Sequence, residues 1–94
     1  MKSEKSEVRK TKAYLARYIQ DLKSKTPCMD CKESYPYYVM DFDHVRGRKQ
    51  ANVAELINTL SKKRIDEEIS KCEIVCSNCH RIRTHERKIK KTNK

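Results

Sequence analysis

Between residues 5 and 24, Val8, Leu15, Tyr18, Ile19 and Leu22 fall on one stripe at helical spacing, with Thr11 and Lys12 interrupting it and lysines and arginines on much of the remainder. That is the pattern of a basic amphipathic helix. Pro27 ends it, since proline cannot continue the hydrogen-bond ladder and drives the preceding residue toward extended geometry. Tyr35 to Phe42 is rich in aromatic and β-branched residues, which predicts a strand from Tyr37 to Phe42 that closes at Asp43-His44. The basic loop Arg46-Gly47-Arg48-Lys49-Gln50 holds the only glycine and suits a tight turn.

Farther along, Val53, Leu56, Ile57 and Leu60 predict a helix over 52–60 with Asn52 as its N-cap. Ile65, Ile69 and Cys72 mark a second helical stripe, and the segment Arg64-Ile65-Asp66-Glu67-Glu68 supplies its polar face. A short strand over Glu73-Ile74-Val75 and a very basic helix from Ser77 to about Lys90 complete the chain, with a frayed tail expected over 91–94.

Ninety-four residues, 36% hydrophobic and 38% charged, leave room for one small core. The formal charge is +10 and no long apolar run exists, so no membrane span is expected. Met1-Lys2-Ser3-Glu4-Lys5 has no apolar block behind its charges. The reading is an intracellular protein, not secreted. In such a reducing compartment disulfides are disfavoured.

Four of the five cysteines form two identical pairs, Cys28-Met29-Asp30-Cys31 and Cys76-Ser77-Asn78-Cys79. A two-residue gap lets both sulfurs of a pair turn toward one ion, and two pairs supply the four thiolates that structural zinc (Zn2+) prefers. A redox-active pair or buried apolar cysteines is the plainer alternative. A zinc site would also answer the shortage of core, because it contributes folding free energy on the order of 10 kcal/mol. Cys72 is left over and reads as a buried thiol.

Forty-four residues separate Cys31 from Cys76, more than the roughly 15 to 20 of a simple zinc ribbon. Inside that insertion lies Asp43-His44 at a strand end, and His80 follows the second pair directly. A carboxylate and an imidazole brought together could hold a second, exposed divalent ion. His85, five residues after His80, falls roughly 140° around an ideal helix, which suits a solvent-facing or phosphate-touching role better than metal ligation.

With these segments in place, Pro27 to Cys31, Met40 to Gly47 and Glu68 to Arg81, the chain resembles the HNH nuclease family over Cys28 to about Arg87. It is similar in particular to small free-standing HNH endonucleases common in phages. The resemblance implies an α+β fold with a zinc-stapled, treble-clef-like ββα-metal core at 27–90, carrying inserted helices and preceded by the basic helix of 1–26. It implies a DNA endonuclease in which His44 is the general base that deprotonates the attacking water, while Asp43 and His80 hold Mg2+ or Mn2+. The family's middle asparagine, which by analogy braces the loop behind the base, would fall on Lys71. Asn78 is the nearest substitute, or else it helps to close the second cysteine pair.

Arg46, Arg48 and Lys49 follow the candidate base, and Arg81 and Arg83 follow the candidate ligand. Cations so placed would neutralise phosphates and bind DNA in a salt-sensitive manner with low sequence specificity. The apolar stripe of the first helix packs on the core, or else joins two copies or docks the chain to a partner protein. The rival functions are a zinc-dependent nucleic-acid-binding module without catalysis and a zinc-stapled protein-interaction adaptor.

Overall fold

The computed structural model describes residues 2–92, with side chains over 7–90. Helix α1 (Lys2–Lys25) is followed by the first cysteine pair, a 3-10 turn (Tyr37–Val39) and strand β1 (Met40–His44). A 3-10 helix (Val53–Thr59), helix α2 (Lys62–Ile69), strand β2 (Cys72–Cys76) and helix α3 (Ser77–Thr92) follow. The fold is a mixed α+β arrangement around one two-stranded antiparallel sheet. Its register pairs Met40 with Cys76, Phe42 with Ile74 and His44 with Cys72.

Strand β1 begins later than its composition predicts and closes at His44. A strand persists only where a neighbour takes its backbone hydrogen bonds. β2 stops at Cys76 and turns directly into α3, so nothing stands opposite Tyr37 to Val39. Those residues form a 3-10 turn in which Val39 N–H donates to the Pro36 carbonyl, and the Ser77 hydroxyl donates to the carbonyl of Val39. At the other end Cys72 pairs with His44, which draws β1 two residues beyond Phe42.

The 52–60 helix is likewise 3-10 rather than α. Asn52 has the extended backbone of a cap, but its side chain makes no capping bond and its carbonyl takes the Glu55 N–H instead. Ser61 caps α2 by accepting from Arg64 N–H. α3 continues past Lys90 to Thr92, and Asn93 and Lys94 of the expected frayed tail lie outside the described residues.

Two small cores flank the sheet. One gathers Leu15 and Ile19 of α1 with Val53, Leu56 and Ile65, and Phe42, Ile69 and Cys72 pack against it. α1 is pinned further by the Tyr18 hydroxyl, which donates to Asp66 of α2, while Val8 near its start is exposed. The second core is Cys28, Met40, Val75 and Cys76, so part of the interior is built from cysteine sulfur. No helix among the described residues is long and apolar enough to cross a membrane.

Candidate metal and catalytic site

The ligand atoms of Cys28, Cys31, Cys76 and Cys79 all lie within 4.8 Å of one another. Tetrahedral zinc with bonds of 2.3 Å would put its sulfurs about 3.8 Å apart, and Cys31 Sγ and Cys76 Sγ are 4.0 Å apart. None of the described cysteines is in a disulfide. The two pairs meet because β2 delivers Cys76 under the first pair, where Met29 N–H donates to the Ile74 carbonyl. Lys32 turns through a left-handed conformation to close that first loop.

Backbone N–H groups point at the sulfurs: Cys31 and Cys76 donate to Cys28 Sγ, and Cys79 donates to Cys76 Sγ. Burial works against ionisation of Cys28, but these bonds outweigh it and bring the thiol down to about 6. Cys79 is pushed up to about 12, by burial first and then by the neighbouring sulfurs. Four sulfurs crowded in this way cannot all be thiolates without a cation among them, so the donor set fits zinc. Cys72 stands apart from the cluster, with its thiol raised to about 11 by burial and by the Glu68 and Asp43 charges.

On β1, alternation places Asp41 and Asp43 on the face toward α3 and His44 on the other. His80, on the first turn of α3, sits between the two aspartates, with Nδ1 3.0 Å from Asp41 Oδ2 and Nε2 3.6 Å from Asp43 Oδ1. Asp43 and His80 are thus brought together across 36 intervening residues. Asp41 was not singled out by sequence reasoning, although its two-residue offset from Asp43 is the signal for a shared face.

Asp43 is almost fully buried and receives Arg83 Nη1 at 2.8 Å and Arg87 Nη2 at 2.7 Å on Oδ2, and Arg87 Nη1 at 3.0 Å on Oδ1. Burial opposes its charge, yet the bonds from Arg87 and Arg83 prevail and hold the carboxyl at about 2. Arg83 also grips Asp30 of the first cysteine loop and Glu73 of β2. Its guanidinium is therefore committed to the protein rather than presented to a polyanion.

His44 turns toward α2, where its Nε2 lies 2.8 Å from Oε2 of the buried Glu68. Gln50 N–H donates to the same oxygen, and Lys71 Nζ donates to Oε1. His44 and His80 consequently occupy opposite faces of the sheet, although His44 and Asp43 are consecutive.

Of the remaining candidates, Arg48, Lys49 and Arg81 are exposed. Arg46 is folded back onto the carbonyls of Ser70 and Cys72 and toward Glu73. Asn78 is exposed at the start of α3, and among the described residues no hydrogen bond joins it to the loop after His44. An open hollow of about 420 Å³ runs along α3, lined by Asp41, Ser77, His80, Arg81, Thr84, His85 and Lys88. His85 thus shares a hollow with His80 despite its angular offset. Comparison with protein-family models, curated proteins and solved structures finds no match.

Proposed function

We propose that this chain is a metal-dependent DNA endonuclease of the HNH type, folded around a structural zinc, with His44 as general base and Asp43 and His80 as ligands of a divalent ion. The observation that carries the reading is the convergence of the β1 end with the first turn of α3. There, Asp43 Oδ1 and His80 Nε2 lie 3.6 Å apart in a β-β-α unit closed by the cysteine cluster. Asp41 supports it, because a metal-ligating histidine commonly gives its other ring nitrogen to a carboxylate.

A carboxylate and a neutral imidazole are a suitable donor set for Mg2+ or Mn2+. A bound ion of that kind would stabilise charge on the phosphate and on the departing oxygen. Asp43 would have to give up one of its guanidinium contacts to bind it. Hydrolysis consumes one water: its oxygen bonds to phosphorus, one proton goes to the His44 imidazole, the P–O3′ bond breaks, and the departing oxygen takes a proton from solvent. The formal +10 charge and the exposed Arg48, Lys49 and Arg81 favour a polyanionic substrate.

A second reading is favoured by the saturation of Asp43 by Arg83 and Arg87 and by the placement of His44 on the opposite face of the sheet from His80. In it, the same residues only staple the fold, and the chain is a zinc-dependent nucleic-acid-binding module. Incubation of supercoiled plasmid with the zinc-loaded protein separates the two. Nicking that requires Mg2+ or Mn2+ and stops with EDTA supports the nuclease, whereas salt-sensitive retention without nicking supports the binding module.

A further inference from the structure

We propose that Glu68, anchored by Lys71, is the positioning residue for His44, holding the tautomer with hydrogen on Nε2 and leaving Nδ1 as the atom that takes the proton from water. The catalytic half of this proposal rests on the nuclease reading, and the pairing itself does not.

Glu68 is 2% exposed and belongs to the polar residues of a short helix, yet it points inward. Its three partners are a backbone N–H from Gln50, the ammonium of Lys71 and the ring of His44. The first two can only donate, so the carboxylate is an acceptor on both oxygens. An ionised carboxylate offers no hydrogen, and Nε2 of His44 must therefore carry one. In the neutral ring Nδ1 is then the basic nitrogen. Nδ1 makes no hydrogen bond within the described residues, and no buried side-chain nitrogen or oxygen among them lacks a partner, so Nδ1 reaches solvent.

Lys71 ties the same arrangement to the loop behind His44. Its Nζ donates to the Arg48 carbonyl at 2.7 Å as well as to Glu68, and its own carbonyl accepts from Val45 and Arg46 N–H. Gly47 has a φ of +69°, and a Cβ there would stand 3.5 Å from the Lys71 side chain. The loop is thus wrapped onto Lys71, at the position where the resemblance leads one to expect an asparagine brace.

The test is long-range 1H–15N spectroscopy of the zinc-loaded full chain at pH 8, which reads the nitrogen that carries hydrogen. The expected result is an exchange-protected Nε2–H on His44 with a bare Nδ1, and loss of that protection in Glu68→Ala. Hydrogen on Nδ1 in the parent, or a protected Nε2–H unchanged in Glu68→Ala, overturns the proposal. Should Glu68→Ala fail to fold, the parent spectrum alone decides the tautomer. In plasmid cleavage, Glu68→Gln with normal zinc content is expected to lower kcat about 10- to 100-fold with KM nearly unchanged, and an unchanged kcat overturns the positioning role. A parent that cuts no DNA refutes the nuclease reading, and the spectrum still decides whether Glu68 sets the ring.

Discussion

Arg83 Nη1 lies 2.8 Å from Asp43 Oδ2, and the same guanidinium reaches Asp30 and Glu73, so one side chain joins the first cysteine loop, both strands and α3. An arginine fork suits this role because its five donors are fixed in a plane and can serve several carboxylates together.

Arg83→Ala should therefore act on stability. Removing it takes the guanidinium from Asp30, leaves Glu73 with only the more distant Arg46 and the buried Asp43 with Arg87 as its one arginine, at a cost on the order of 2–3 kcal/mol. Arg81, two residues away and exposed, is expected to do the opposite. Arg81→Ala should change stability by less than about 0.5 kcal/mol while weakening DNA binding and reducing the salt slope by about one. Urea unfolding and salt-dependent DNA titration of the two variants check this directly.

The cysteine cluster should bind one zinc per chain and carry most of the folding free energy, on the order of 10 kcal/mol. A strong chelator is expected to abolish the far-UV helical signal in step with zinc release. Cys76→Ser should lose both metal and fold, whereas Cys72→Ala should keep its zinc. Metal content by mass spectrometry of the intact protein distinguishes these outcomes.

Much of this architecture was legible in the chain. The two cysteine pairs announce their own meeting, and the stripe of Leu15, Tyr18 and Ile19 identifies the buried side of α1. What the sequence could not carry is which charges face one another. Arg83 and Arg81 look alike in a basic run, and only the arrival of Asp30, Asp43 and Glu73 from three other segments sets them apart. Its neighbours Asp66 and Glu67 suggest the polar face of α2 for Glu68, yet it falls three residues after the fully buried Ile65 and four before Cys72, on the inward side. The start of β1 was misplaced for a similar reason. Composition reports that Tyr37 to Val39 suits a strand, but only the length of β2 decides whether a partner stands opposite.

Acid should expose the contribution of Glu68. Burial resists its ionisation, but bonds from Gln50, Lys71 and His44 prevail and hold the carboxyl at about 2, against about 4.3 for an unfolded glutamate. A depressed carboxyl stabilises the fold above the unfolded value and loses that contribution as pH falls toward the folded one. The stability difference between the parent and Glu68→Gln should be largest above pH of about 5 and shrink toward pH of about 2. Denaturant midpoints of both proteins along that range measure it, and the subtraction removes acid loss of zinc, which both share.

The central claim is that His44 takes a proton during phosphodiester hydrolysis, and the most direct measurement is the relaxation rate of supercoiled plasmid by His44→Ala beside the parent with Mg2+ or Mn2+. The account expects the variant to retain zinc and DNA binding while its nicking rate falls at least about 100-fold. A variant that nicks as fast as the parent, or a parent that does not nick at all, would contradict it.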